Sequence, residues 1–410
     1  MTLKISVIII ALLGSLYTLI LNIVEHRSAN NPTPENLSDV YDAETYEKWK
    51  KYRAEHSRLS IVFTTIGAIA TAALLFTDLY AIFARLFGEN MYAQIFGIVL
   101  LEAIVGTVVG TVESYVSNMI IEQKYGFNRT NMKTFVFDRI RSVLIGLALS
   151  CALVYLLAWV HMALGAWMIL VFAAVVFAFT LLISFLYPIL SRVGNKFVPL
   201  EDGELKDRLM ELLTKHGYKV KAIEVMDASR RTTKLNAYFT GFGKLKTIVL
   251  YDNLVNAMTT DEICAVFAHE LGHGLHKDVL KGQIGNFGNL LIMAVVAWLS
   301  ASIPELHEAF GFEGVNYGFA YVLVGTFLGL IQPITSMIMN ARSRSAEYRA
   351  DRQAVKEGYG EAMITALKKL GKENFSHLAP AKLNVVMEYS HPPLSSRIEA
   401  IEREMENKNR

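Results

Sequence analysis

Long apolar segments alternate with polar loops over most of the chain. A helix needs about 20 mostly apolar residues to cross a bilayer. Seven segments qualify, at residues 5–24, 59–87, 91–112, 143–164, 167–190, 284–303 and 317–339. The composition agrees with this pattern, because 53% of residues are hydrophobic and only 19% are charged, against about 25% charged in soluble domains. We therefore predict a mostly α-helical integral membrane protein with seven transmembrane helices.

The loop lysines and arginines predict the orientation. They concentrate after the first and third segments, at Arg27, Lys48, Lys50, Lys51, Arg53, Arg58, Lys124, Arg129, Lys133, Arg139 and Arg141. Basic loops face the cytoplasm. Counting spans from there places residues 191–283 and the C-terminal tail on the same side, and the N-terminus on the other. The first segment has too long an apolar core for a signal peptide, so we interpret it as an anchor.

Residues 191–283 have the pattern of a small α+β domain. We predict a helix over 201–216 and strands over 219–226, 235–240 and 247–251, with a hairpin turn at 241–244. Thr259 and Glu262 form a capping-box pattern that starts the next helix. Further helices are predicted over 340–357 and 395–406. The domains are then 1–190 (five membrane helices), 191–283 (the small α+β domain), 284–340 (two membrane helices) and 341–410 (C-terminal helices).

Four ionisable residues fall within the apolar segments: Asp78, Glu102, Glu113 and His161. Such groups are costly in lipid, so they either line a polar cavity among the helices or lie near span ends. For Glu102, at mid-span, the cavity is the better interpretation. The two cysteines, Cys151 and Cys264, are too few and too apolar in context for a disulfide framework. A net charge of +2 without a basic aromatic stripe gives no sign of nucleic-acid binding.

The chemistry is concentrated in the sequence His269-Glu270-Leu271-Gly272-His273. Histidines four residues apart on a helix project toward one metal ion, and Glu270 is placed to take a proton from the attacking water. Two nitrogens and one further protein ligand would leave the fourth tetrahedral position open, as catalytic zinc requires. His276, three residues further on, turns away from this pair and is interpreted as a surface residue.

A third ligand must come from another part of the chain. Glu347 and Asp351 lie four residues apart on one predicted helix face, on the same side of the membrane. Flanking arginines would also fit an ordinary solvated helix, but the histidine pair needs a ligand. One carboxylate would bind zinc, and the other would hold a ligand histidine through its second nitrogen.

These residues together resemble the CAAX prenyl protease 1 (Ste24) family of zinc metallopeptidases. The similarity lies in "HELGH", "SRSAEYRAD", "NAYFTGF", "SHPPLSSRI" and the loop "EQKYGFNRT", and it covers nearly the whole chain. It implies a zincin-like metalloprotease domain with one zinc per chain. It also implies a water-filled chamber among the seven helices, for which Glu102 and His161 are candidate lining residues.

The resemblance also implies residue roles. Zinc would be bound by His269, His273 and Glu347, with Glu270 as general base and Asp351 holding a ligand. Asn236, on an edge strand, would pair with substrate backbone. His391 would contact substrate or the oxyanion, although it could simply begin a helix before two prolines. Arg397 would hold the acidic cluster.

The resulting hypothesis is a membrane-embedded zinc metalloendopeptidase acting on membrane-associated, possibly prenylated, proteins or peptides. An intramembrane protease with the motif inside a span is disfavoured by the polar residues around the motif. A transporter or scaffold with structural zinc would have four protein ligands and no need for Glu270. We expect a bacterial inner membrane with the catalytic domain cytoplasmic, or alternatively the endoplasmic reticulum. The oligomeric state cannot be predicted from the sequence.

Overall fold

The computed structural model describes residues 2–192, 195–218, 222–240 and 247–408, and the fold is mostly helical. The α-helices of these ranges are α1 (Thr2–Ser28), α2 (Ala43–Phe76), α3 (Leu79–Arg85), α4 (Met91–Ser114), α5 (Met132–Leu164), α6 (Met168–Leu190), α7 (Glu204–Lys215), α8 (Asp252–Ala257), α9 (Thr260–Leu275), α10 (Asp278–Ser302), α11 (Pro304–Glu308), α12 (Tyr317–Lys356), α13 (Gly360–Glu373), α14 (Lys382–Met387) and α15 (Leu394–Lys408). A π-helical segment, Tyr115–Glu122, continues α4.

Six ranges of the described chain are long and apolar enough to cross a membrane. They are Thr2–Ser28, Ala43–Phe76, Met91–Glu122, Met132–Tyr187, Asp278–Ser302 and Tyr317–Lys356. The fourth range contains two of the predicted spans, α5 and α6, which are separated by a short 3₁₀ turn. Gly165 begins that turn with φ of 53°, a conformation that glycine adopts readily. The chain is therefore a multi-pass integral membrane protein, and the count of seven crossings stays a prediction.

Polar caps fix where several long helices begin. The side chains of Asp42, Asn90, Asn131 and Asn316 each accept a hydrogen bond from a backbone N–H in the first turn of α2, α4, α5 and α12, respectively. Such caps satisfy backbone donors that have no partner within the helix.

Two predicted helix boundaries were wrong. The predicted span at 59–87 stops at Phe76, and the chain resumes as the short α3 after a break at Thr77 and Asp78. The predicted span at 317–339 and the predicted helix at 340–357 are one continuous helix, α12, with Pro333 inside it. The proposed domain boundary at residue 340 therefore falls within a single helix, which runs from the membrane region to Glu347 and Asp351.

A cavity of about 1140 Å³ lies among helices α1, α2, α4, α10 and α12. Glu102 and Glu113 both line it, and the hydroxyl of Tyr80 donates to the Glu102 carboxylate. His161 is not among the lining residues and instead hydrogen-bonds Tyr317 and Ser302, at 2.8 and 3.0 Å. The prediction that Glu102 lines a polar cavity is therefore confirmed, and the same prediction for His161 is wrong for this cavity.

Asp78 lies at the break between α2 and α3. Its carboxylate is 59% exposed and pairs with the ammonium of Lys4 at 2.8 Å. Asp78 was predicted either to line a polar cavity or to lie near a span end, and the structure shows the second position.

The sheet has four strands, β1 (Phe197–Pro199), β2 (Ala222–Met226), β3 (Ala237–Thr240) and β4 (Thr247–Tyr251), in the order β1-β2-β4-β3. β2 and β4 are parallel, and β3 is antiparallel to β4 at one edge. The predicted strands at 235–240 and 247–251 are confirmed within two residues. The predicted turn at 241–244 and the start of the predicted strand at 219–226 lie outside the described residues.

The loops between the membrane helices pack onto this domain. One core cluster joins Trp49 of α2 and Phe127 of the loop after α4 to Ala268 of α9 and Ile398 of α15. Arg129 also donates its backbone N–H to the carbonyl of Arg231 at 3.2 Å. The basic loops and α9, the helix that contains the HExxH motif, therefore lie at the same end of the helix bundle. Both cysteines are free and buried.

Candidate active site

The helix that carries the HExxH motif, α9, begins with the predicted capping box. The Thr259 hydroxyl accepts from the Glu262 N–H at 3.3 Å, and the Glu262 carboxylate accepts from the Thr259 N–H at 2.8 Å. Lys369 of α13 donates to the same carboxylate at 2.6 Å. These bonds fix the start of α9.

Close packing of α9 against α12 brings the motif to its partners. A Cβ on Gly272 would lie 2.9 Å from the Cα of Ala350 and 3.0 Å from the Cβ of Gln353. Real Cβ atoms do not approach backbone so closely, so glycine is needed at this crossing. Because α12 lies this near, Glu347 and Asp351 face the two histidines.

His269, His273 and Glu347 form the group whose ligand atoms could share one metal ion. The Nε2 atoms of His269 and His273 lie 3.5 and 3.3 Å from the two carboxylate oxygens of Glu347. Two ligands at about 2.1 Å from a tetrahedral zinc would be about 3.4 Å apart. Oε2 of Glu347 is buried and makes no hydrogen bond with the described residues. The three side chains therefore fit a zinc ion.

A second layer of charged groups fixes the ligand side chains. The His269 Nδ1 donates to the Asp351 carboxylate at 2.8 Å, and Asp351 in turn accepts two bonds from Arg397, at 2.7 and 2.9 Å. Arg397 also lies 3.5 Å from Glu347. With Nδ1 held in this way, Nε2 of His269 is directed at the metal position, as in other zinc sites.

Sequence reasoning missed Asp278, which holds the other histidine. His273 Nδ1 donates to its carboxylate at 3.2 Å, and Arg349 of α12 donates to the same carboxylate at 2.8 Å. The residue before it, Lys277, has φ of 54° and turns the chain from α9 into α10. That turn brings Asp278 back to the site, and only its closeness to His273 in the chain could have indicated it.

Electrostatics in the site favour a cation. Burial opposes protonation of His269, but the carboxylates of Asp351 and Glu347 together raise the pKa of its imidazole to about 9. Burial also opposes protonation of His273, but the carboxylate of Glu347 outweighs burial and raises the pKa of this imidazole. Burial raises the pKa of Glu270, although the two histidines oppose this effect. A carboxyl group with a raised pKa is suited to accept and return a proton near neutral pH.

The remaining predicted residues surround this centre. His391, in the loop before α15, has its Nε2 3.4 Å from Glu347 Oε1, and its side chain is 63% exposed. Asn236 immediately precedes the edge strand β3, is exposed, and accepts the Ala237 N–H at 2.9 Å. His276 caps the end of α9 outside the ligand group. This position agrees with the prediction that His276 does not bind the metal.

The multi-pass helix bundle and this site define a membrane-embedded metallopeptidase, a hydrolase. Residues 199–405 match the model of peptidase family M48, and residues 23–192 match that of the CAAX prenyl protease N-terminal region, five membrane helices. The chain belongs to peptidase family M48, and the resemblance seen in the sequence is confirmed.

Several known proteins are similar over nearly the full length. CAAX prenyl protease 1 of Saccharomyces cerevisiae is 30% identical over 92% of this chain and 89% of that protein. The Arabidopsis thaliana homolog is 29% identical over 90% of each. The crystal structure of S. mikatae Ste24p covers 97% of this chain and 99% of that one, with a TM-score of 0.90 at 26% identity. These relatives are eukaryotic, so the expectation of a bacterial inner membrane has no support.

Proposed function

We propose that this chain is a zinc metalloendopeptidase that cleaves the C-terminal tails of membrane-associated proteins, including prenylated ones. The observation that carries the proposal is the group formed by buried His269 and Glu347 and half-buried His273, with Glu270 next to His269 in the chain. The names of the relatives, CAAX prenyl proteases, support the substrate class. The cavity among the helices supports it as well, because it gives polypeptide a place at membrane depth.

Each residue would have a distinct role in hydrolysis. Bound zinc would polarise the scissile carbonyl and make a water molecule more acidic. Glu270 would accept the proton of the attacking water and deliver it to the leaving amine. His391 would donate to the oxygen on which negative charge develops. Asp351 would keep His269 oriented, and Arg397 would hold Asp351.

The edge strand would hold the substrate in an extended conformation. Among the described residues β3 pairs only with β4, so its other edge can add a peptide strand by backbone hydrogen bonds. Asn236, at the start of this strand, would pair with the substrate backbone. An extended peptide is the conformation in which the scissile carbonyl can reach the metal position.

A transporter or scaffold with structural zinc is the alternative function. Structural zinc sites are closed by four protein ligands. Three ligands converge among the described residues, and an acid with a raised pKa lies next to them. This combination favours the enzyme.

We further propose that the catalytic domain faces the cytoplasm, in an endoplasmic reticulum membrane. The loops rich in lysine and arginine pack against the domain, and such loops are retained on the cytoplasmic side. The eukaryotic origin of the relatives supports this choice of membrane.

The variant Glu270→Gln tests the enzymatic function. Peptidase activity should fall by at least about a hundredfold, because general-base catalysis contributes about 10²–10⁴-fold. Zinc content should stay near one per chain, since Glu270 is not a ligand. Glu347→Gln should lose both zinc and activity, and the exposed Glu406→Gln should lose neither. Undiminished cleavage by Glu270→Gln would disprove the mechanism.

A further inference from the structure

His391 lies outside the helices and strands, at the end of a short turn that follows α14. We call residues 388–391 the His391 turn. The side chain of His391 is 63% exposed, yet its Nε2 lies 3.4 Å from Oε1 of Glu347. The hydroxyl of Ser390 lies 2.9 Å from Nδ1 and links the imidazole to the turn. Because so exposed a side chain has little packing to hold it, the backbone of the turn sets the position of the imidazole.

Arg344 of α12 holds this backbone. Its Nη1 donates to the carbonyl of Val385 at 2.8 Å and to that of Tyr389 at 2.7 Å, and the carbonyl of Val386 lies 3.5 Å away. Val385 and Val386 lie in the last turn of α14, where carbonyls have no partner within the helix. One guanidinium therefore joins the end of α14 to the backbone two residues before His391.

Other contacts to the same segment come from α1. The buried Asn384 donates to the carbonyl of Leu21 at 3.0 Å. The hydroxyl of Tyr389 donates to the carboxylate of Glu25 at 2.9 Å. The first bond holds α14, and the second holds a side chain of the turn. Of these contacts, the one from Arg344 is the one that reaches the backbone of the His391 turn.

The same helix also carries the third ligand of the candidate metal site. Arg344 and Glu347 are three residues apart on α12, so their side chains are neighbours on the helix surface. A continuous helix is a rigid spacer with a rise of about 1.5 Å per residue. Because α12 holds the Glu347 carboxylate and, through Arg344, the His391 turn, it fixes the distance between the metal position and the imidazole of His391.

We propose that Arg344 is a positioning residue for His391. It holds the His391 turn so that Nε2 of His391 reaches the oxygen that becomes negative during peptide hydrolysis. This inference rests on the proposed peptidase function and on the role proposed there for His391. Removing one donor to such an oxygen costs about 10²–10³-fold in kcat. Since a displacement of about 1 Å can cost about a hundredfold, a turn released from Arg344 should lose much of the contribution of His391.

A double-mutant cycle tests the proposal. Arg344→Met keeps a long side chain and removes every donor, and His391→Ala removes the imidazole. In the parent, Arg344→Met should lower kcat about tenfold to a hundredfold. KM should stay within about twofold, as expected for an interaction made in the transition state. In the His391→Ala background the same substitution should change kcat by less than about twofold, because no imidazole remains to be positioned.

Matched controls separate positioning from effects on folding. All rates are expressed per bound zinc, which should stay near one per chain in every variant. Arg342→Met changes an exposed arginine of the same helix and should keep the parent kcat. Arg344→Lys keeps a cation with three donors on a different head group. It should retain part of the rate, and it replaces Arg344→Met in the cycle if that variant does not fold.

Three outcomes would overturn the inference. Equal losses of kcat in the parent and in the His391→Ala background would show that Arg344 acts independently of His391. Loss of zinc from the Arg344 variants in proportion to their activity would show that Arg344 supports Glu347 instead. If His391→Ala itself keeps the parent kcat, the role of His391 and this inference fail together, while the peptidase function, tested by Glu270→Gln, stands.

Discussion

Replacing Asp351 by asparagine should weaken zinc binding more than the same change at Asp278. Both carboxylates accept a hydrogen bond from the Nδ1 of a ligand histidine, so both fix an imidazole for metal binding. The two sites differ in distance and burial. Asp351 lies 2.8 Å from His269 and is 1% exposed, whereas Asp278 lies 3.2 Å from His273 and is 12% exposed.

The size of the effect follows from this difference. Loss of an outer carboxylate typically costs 10–100-fold in metal affinity or activity. We expect about a hundredfold for Asp351→Asn and about tenfold for Asp278→Asn. Asp351→Asn also leaves Arg397, whose side chain is 11% exposed, with Glu347 at 3.5 Å as its nearest remaining anion. The free energy of unfolding should therefore drop as well, by up to about 3 kcal/mol.

Zinc affinity is measured by competition with a chromophoric chelator, using purified protein in detergent. The same preparations are assayed for peptide cleavage at saturating zinc. Asp261→Asn is the matched control, because this aspartate lies at the start of the same helix, α9, and its side chain is 64% exposed. The control should bind zinc like the parent.

The order of the three variants is the decisive result. If Asp278→Asn weakens zinc binding as much as Asp351→Asn, hydrogen-bond length and burial do not govern the outer carboxylates. If neither variant differs from the control, the assignment of these two residues as supports of the metal ligands is wrong.

Two further predictions concern stability. Gly272→Ala should destabilise the protein by about 1–3 kcal/mol through overpacking against Ala350, and it should lower the zinc content. The control Gly282→Ala, whose added Cβ would have nothing within 4 Å, should change neither property. Thermal unfolding and metal analysis measure the two effects. His377 has a pKa of about 3 when folded against about 6.5 when unfolded, so the unfolded state binds a proton first as the pH falls. Stability should therefore decrease below about pH 6.5, by about 1 kcal/mol at pH 5.5. His377→Gln should flatten that part of the profile in thermal unfolding scans, and an unchanged profile would contradict a neutral buried imidazole.

Local patterns in the sequence were sufficient to predict that long apolar helices exist and that a helix carries the HExxH motif, whereas the count of seven crossings stays a prediction. A membrane helix is determined by the length and polarity of one contiguous segment, so its existence can be read without its neighbours. The capping box at Thr259 and Glu262 and the spacing of His269 and His273 are likewise local, because they depend on the geometry of a single helix. The boundaries were less certain, as the break at Thr77 shows.

Through-space relations required the tertiary structure. The parallel pairing of β2 with β4, the position of Glu102 but not His161 at the cavity, and the support of His273 by Asp278 all join residues whose order along the chain does not specify contact. The third ligand was an intermediate case, since the need for one was clear, but the residues alone left Glu347 and Asp351 as alternatives. Glu347 reaches the metal position because Gly272 lets α12 approach α9 closely. A helix crossing of this kind depends on the side-chain volumes on the facing surfaces of both helices. The periodic pattern of one segment describes only one of these two surfaces.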